Sequence, residues 1–208
     1  KALASIWMSL FLAVSSATIC SVIGTAVVVA VRKSRGFFKK TLEGISLLPE
    51  MLPSIVLVIG IMLFWNAIYQ VLPLYNTIWI IVLAYVVLYL PYTVQYVTSA
   101  FTQINDSLLQ AGRVFGGTPS YVFRRVTLPM ISRGIFAGWM MIFIIAFREL
   151  VTASLIVPPN TLVVSTYINR EFEQGSVSLG MAMAVLCVLI TTTALLVFNR
   201  LVGKQKGA

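Results

Sequence analysis

Long apolar runs alternate with short basic segments along this chain. A helix needs about 20 apolar residues to cross a bilayer. Five stretches meet that length: from about Ile6 to Val31, Ile45 to Trp65, Ile78 to Tyr96, Ile135 to Val157, and Val177 to Val202. The fourth is interrupted by Arg148 and Glu149. The runs are continuous and do not alternate residue by residue, which excludes the dyad pattern of membrane strands. The pattern predicts an all-α fold, a polytopic membrane helical bundle with five core spans.

Composition sharpens this picture. Of 208 residues, 59% are hydrophobic and only 10% charged, where a soluble domain is nearer one quarter charged. Mean hydropathy is +0.96. Histidine is absent, which removes histidine catalysis and histidine metal sites. Cys20 and Cys187 lie in separate apolar runs and read as small apolar fillers. The net charge of +9 could suggest nucleic acid, but its placement argues for membrane loops instead. Arg32, Lys33, Arg35, Lys39 and Lys40 lie between spans one and two. Arg113, Arg124, Arg125 and Arg133 lie between spans three and four, and Arg200, Lys204 and Lys206 follow span five. With five spans all three groups fall on one side, so the positive-inside rule predicts an outside N-terminus and a cytoplasmic C-terminus. Lys1 in place of a start methionine is expected of a processed or excised piece. A further span before it would explain an outside N-terminus without a signal peptide.

Two features inside or beside the spans stand out. Pro49, Pro53 and Pro91 each remove a backbone donor and tend to kink a helix. The segment 105–129, NDSLLQAGRVFGGTPSYVFRRVTLP, is long for a connection and has helical punctuation. Asn105 or Asp106 can cap a first helix. Gly116 and Gly117 stop it through left-handed geometry. Thr118 caps a second helix with Pro119 in its first turn, and Leu128-Pro129 closes the segment. Small residues Ala111, Gly112 and Gly116 allow close approach of another surface. Physics leaves two roles open: a knob for a soluble partner, or a loop lying on anionic lipid.

The same segment resembles the EAA loop of permeases in binding-protein-dependent ABC importers, whose pattern is E-A-A, three residues, G, nine residues, I-x-L-P. Gln110, Ala111 and Gly112 take the first three positions, Arg113 to Phe115 the spacer, and Gly116 the glycine. Gly117 to Arg125 make the nine, and Val126, Thr127, Leu128 and Pro129 the close. Gln110 stands where the family has an acid, Gly112 where it has alanine, and Val126 where it has isoleucine. The resemblance implies a MetI-like type I fold forming one permease domain over 1–208, with 105–129 as the cytoplasmic coupling loop. It implies a bacterial inner-membrane location and transport by alternating access without chemistry on this chain. It further implies three partners: a cytoplasmic ABC ATPase dimer, a second permease domain (a homodimer mate or a fused sister), and an extracytoplasmic binding protein. ATP would sit on the ATPase, since no G-x-x-x-x-G-K-[ST] run is present. No cofactor, metal or nucleic acid is expected on this chain.

Charges within spans are costly and often functional. Glu50, with Pro53 beside it, lies in the inner part of span two. Arg148 and Glu149 lie in the outer part of span four. These four are the candidate path or gate residues. Glu50 could instead cap backbone near Pro53 or pair with a loop cation, and Arg148-Glu149 could be a local pair that snorkels to water. Beyond them, Tyr167, Ile168 and Phe172 interleave with Arg170, Glu171 and Glu173, predicting a short amphipathic helix at the outer surface. The runs RELVTASLIVPPNT and ST-x-I-x-x-x-FEQG most resemble ferric-iron permeases. Related groups carry thiamine, phosphonates, polyamines and sulfate. The rival class is an ion-coupled secondary transporter, which should show more intramembrane carboxylates and broken helices.

Overall fold

A computed structural model describes the backbone of residues 1–114 and 116–204, with side chains at all of these except 106, 109, 111, 113 and 201–204. Every regular element among the described residues is helical. This follows from the apolar runs, because in lipid each backbone N–H and C=O must be satisfied within its own segment.

Three long helices form the centre. They are α1 (Ala2–Lys33), α4 (Ile78–Thr102) and α7 (Leu128–Phe147), and each packs on the other two. Small residues set their close approach. A Cβ at Gly24 of α1 would lie 2.6 Å from Thr93 Cγ2 of α4, and one at Gly138 of α7 would lie 3.3 Å from Thr93 Cα. Without a hydrophobic drive between helices in lipid, such backbone proximity is what packing uses. Toward the end remote from the 105–118 loop, Leu12, Ala17, Cys20, Ile81, Tyr85, Ile142 and Phe147 fill the interior. Cys20 is the buried filler expected. Trp139, Phe143 and Phe147 stack along α7 with centroids 5.4 and 6.0 Å apart.

The spans expected at 6–31, 78–96 and 177–202 are present as α1, α4 and α10 (Val177–Lys204). Helix α4 continues as one helix through Pro91. The other two spans are corrected. The expected 45–65 span is broken. Helix α2 (Gly36–Leu47) runs into a 3-10 turn at Leu48–Met51, and α3 (Ser54–Ala67) leaves it at 108°. Pro53 causes the break: it stands in extended geometry at the N-cap of α3 and brings no N–H. Helix α3 alone has 14 residues, about 21 Å at 1.5 Å per residue. It is therefore too short to cross a full hydrocarbon core by itself.

The expected 135–157 span begins earlier and ends earlier. Helix α6 (Pro119–Val122) passes through a π turn at Phe123–Thr127 into α7, so Pro119–Phe147 is one apolar rod. Leu128-Pro129 therefore lies within a rod and does not close the loop. The wider π turn accommodates a proline that cannot donate there. At the far end Arg148 terminates α7, and the chain folds back as the short α8 (Val151–Ile156). An amphipathic α9 (Val164–Glu173) follows and packs on α1, α8 and α10. Of the most apolar stretch of α10 only 6% is buried, against 61% for α4. Its sides are thus left to lipid or to another chain.

Candidate functional site

The loop between α4 and α7 is built from its caps. Asn105 takes a capping role: its Oδ1 accepts the Ser107 N–H at 3.2 Å, while the side chain of Asp106 lies outside the described residues. Helix α5 (Asp106–Val114) ends at Gly116, whose φ of +83° is left-handed. The Gly117 N–H then donates to the Gly112 carbonyl at 3.1 Å. Thr118 caps α6 by accepting the Tyr121 N–H at 3.3 Å, with Pro119 in the first turn as expected. The glycines also face inward. A Cβ at Gly112 would lie 3.2 Å from Val122 Cγ2, and one at Gly117 would lie 2.6 Å from the Gly112 oxygen. Gly112 therefore lets α5 seat on Val122.

The outer face of this hairpin is apolar and bare. Val114 is 83% exposed, Tyr121 58% and Leu108 46%. Gln110, Gly116, Arg124, Arg125 and Pro129 are exposed, Leu128 is borderline, and Gly112 and Val126 are half-buried. A hollow of about 430 Å³ lies between Gly112, Gly116, Gly117, Thr118 and Tyr121. The side chains of Ala111 and Arg113 fall outside the described residues; their backbone is in α5.

Glu50 sits in the 3-10 turn, exposed, and accepts a hydrogen bond from Gln95 Nε2 of α4. This displaces both bland expectations, a backbone cap and a pairing with a loop cation. Gln95 also lines a cleft of about 550 Å³ with Arg32, Lys39, Glu43, Ser46 and Thr98. Lys39 and Glu43 approach to 3.9 Å as an ion pair. The Arg32 guanidinium lies 4.9 Å over the Phe101 ring and donates to the Phe101 carbonyl at 3.4 Å. Pro53 turns the backbone just after the 3-10 turn that carries Glu50.

Arg148 and Glu149 do not form the local pair that their adjacency suggests. Arg148 is exposed, while Glu149 turns inward. Its Oε2 accepts the Tyr89 hydroxyl at 2.9 Å. Its Oε1 accepts the Thr152 N–H at 2.9 Å and the Thr152 hydroxyl at 3.1 Å, which caps α8. The Glu149 carbonyl accepts the Ser165 hydroxyl. Helix α9 is also tied to α1, where Ser9 Oγ accepts the Val164 N–H at 2.9 Å. On α9 the expected amphipathic pattern is present in part: Tyr167 is buried and Glu173 exposed, but Ile168, Arg170 and Glu171 are all half-buried. Phe172, 40% exposed, rests its ring on Gly180 of α10. Burial and the adjoining Glu171 carboxylate push the Tyr167 phenol up.

Tyr89, Gln95, Thr152 and Ser165 are functional candidates that only the structure reveals. Gln95 is the one amide in α4, and a polar side chain within an apolar run is its available signal. No local signal pairs Tyr89 with a carboxylate 60 positions away.

No group of three or more Cys, Asp or Glu side chains gathers as a metal site among the described residues. What the arrangement offers is a helical membrane scaffold with a protruding hairpin at one end. A broken helix borders a mainly apolar cleft that also admits Arg32, Lys39, Glu43 and Gln95, and a hydrogen-bonded carboxylate stands toward the other end. These are the marks of a permease.

The chain belongs to the family of binding-protein-dependent transport system inner membrane components, whose model matches residues 22–206. It is 34% identical over 116 residues to the Fe(3+)-transport system permease protein FbpB 2 of Haemophilus influenzae, covering 55% of this chain and 23% of that one. It is 23% identical to the spermidine/putrescine transport system permease protein PotC of Escherichia coli K12, over 95% of this chain and 73% of that one. The chain thus aligns with under a quarter of the first relative and about three quarters of the second. Among solved structures, an inward-facing MetNI methionine ABC transporter superposes with a TM-score of 0.77 at 19% identity, covering 96% and 94% of the two chains. A bacterial ABC transporter involved in the import of the acidic polysaccharide alginate gives 0.79 at 17% identity, covering 96% and 78%. At these identities the likeness is one of fold.

Proposed function

We propose that this chain is the permease subunit of an ATP-driven importer, presenting the 105–118 hairpin to a cytoplasmic ATPase. The carrying observation is that hairpin. A capped helix, a left-handed glycine and a second cap project Val114, Leu108 and Tyr121 into solvent, where a soluble partner would bury them. The family supports the reading. Gln110, Ala111, Gly112, Arg113, Gly116, Val126, Leu128 and Pro129 are the coupling-loop residues in this reading. Glu50, Pro53, Arg148 and Glu149 belong to the path or its gate. The bundle is oriented with the hairpin and C-terminus cytoplasmic, as the basic residues favour. A second permease domain covers the bare faces, and a binding protein meets the end that carries α9. ATP is held by the ATPase.

Cysteine at Gln110 should crosslink to the ATPase of the assembled transporter in an ATP-dependent way. Gly116→Val should uncouple ATP hydrolysis from uptake. Normal ATP-dependent uptake by Gly116→Val would overturn the docking assignment.

For the substrate, the RELVTASLIVPPNT run and the 34% identity to a ferric-iron permease support ferric iron. Polyamine and phosphonate permeases are also relatives. Uptake of radiolabelled ferric iron into vesicles carrying the whole transporter, with spermidine and 2-aminoethylphosphonate as competitors, decides among them. Ferric uptake unaffected by either competitor is the expected result.

A further inference from the structure

Glu149 is a carboxylate at membrane depth with no cationic partner among the described residues. Tyr89, its donor, lies 11 residues along α4 from Ile78, roughly 16 Å in from that end at 1.5 Å per residue. The Lys39–Glu43 ion pair is elsewhere. A charge placed at such depth is expensive unless it is hydrogen-bonded. Here the carboxylate takes three donors, the Tyr89 hydroxyl of α4 and the N–H and hydroxyl of Thr152 in α8, while the backbone carbonyl of the same residue takes the Ser165 hydroxyl of α9. Capping α8 would need only Thr152. The bonds to Tyr89 and Ser165 join helices that the chain itself does not connect nearby.

The two joined elements end at opposite poles. Helix α9 carries exposed Asn169, Phe172 and Glu173 at one end of the bundle. Helix α4 runs from Tyr89 to Thr102 and delivers the chain directly into the 105–118 hairpin. Tyr89 is 8% exposed and packed between Tyr85 and Tyr92, at 5.7 and 6.3 Å between ring centroids. A force applied at Ser165 therefore reaches a rigid, buried part of α4.

We propose that Glu149 is a positioning residue that latches α9 to α4, so that a binding protein docking on α9 shifts the helix leading into the hairpin. The inference rests on the importer reading. Of the two roles given to Glu149 above, path or gate, the latch is the gate: it transmits movement and holds neither substrate nor ATP.

The test uses the whole transporter in proteoliposomes, with permease, ATPase and binding protein. Tyr89→Phe and Ser165→Ala each remove one hydroxyl and keep the packing. Each should lower ATPase stimulation by the binding protein roughly tenfold, the scale of a lost hydrogen bond near a charge, while basal hydrolysis and assembly are kept. Because both act through Glu149, the double variant should be no worse than the single ones. Ser165→Thr, which keeps a hydroxyl, should restore stimulation. Unchanged stimulation in the single variants overturns the latch. So does a double variant whose losses multiply, or basal and stimulated rates that fall together. Should Tyr89→Phe not assemble, the Ser165 pair decides alone: loss in alanine without recovery in threonine refutes the proposal. Failure of the unaltered assembly to hydrolyse or transport would defeat the importer reading instead.

Discussion

A Cβ at Gly134 would lie 2.5 Å from the Ala100 Cβ and 2.9 Å from the Tyr96 carbonyl oxygen. The α4–α7 crossing therefore tolerates no side chain there. Gly134→Leu should cost about 3 kcal/mol, at the upper end of overpacking penalties. It should lower the midpoint of thermal unfolding in detergent, and an unchanged midpoint would show that the helices can separate without cost. Gly60 is the contrast. It lies inside α3 with nothing within 4 Å of an added Cβ, so Gly60→Ala should be neutral or gain about 0.5–1 kcal/mol from better helix propensity. The two glycines look alike in sequence, each within or beside an apolar run. Only the partner helix separates them, and that partner is more than 30 positions away. Glu149 teaches the same lesson. Its neighbour Arg148 suggests a local pair, but a flexible surface pair in water is weak. Three fixed donors from α4 and α8 hold the carboxylate better.

Among the elements, the hairpin is the most legible because its determinants are local. Caps, a left-handed glycine and a proline at the first turn all act within a few residues. Asn105, Gly116, Thr118 and Pro119 therefore sit where their chemistry requires. Gly117→Ala and Gly116→Ala separate two causes of that turn. Alanine at 116 meets only the left-handed backbone cost, about 1 kcal/mol. Alanine at 117 meets the Gly112 oxygen, which cannot move without unwinding α5. Gly117→Ala should thus weaken ATP-dependent crosslinking from Gln110 more than Gly116→Ala does. Equal effects would show that the close approach of residue 117 to the Gly112 carbonyl does not set the turn. The second span defeats a linear reading for the opposite reason. Its hydropathy is continuous across Leu52 and Pro53, and hydropathy records no direction. The 108° change between α2 and α3 stems from a missing N–H. The contacts of α2 with α1 and α4, of the turn with α4, and of α3 with α8 and α4 fix where each arm points.

At the scale of the whole molecule, two ends differ in chemistry. One carries the hairpin with Arg124 and Arg125, the other α9 with Glu171 and Glu173. Cysteines at Gln110 and Glu173, both exposed, should react with an impermeant thiol reagent from opposite faces of sealed membranes. Labelling of both from one face would overturn the orientation. Apolar run length, set by the free-energy cost of unpaired backbone in lipid, settled from sequence alone that this is a helical membrane protein. Local capping chemistry likewise carried the hairpin, and the basic loops favour the orientation that the labelling tests. These are sums or near-neighbour effects, and a one-dimensional reading contains them. The three-helix core around Thr93, the bend at Pro53, the early end of α7 and the Glu149 junction were decided only in three dimensions. Each depends on which distant side chain fills a gap or donates a hydrogen bond, and such partners are chosen by packing.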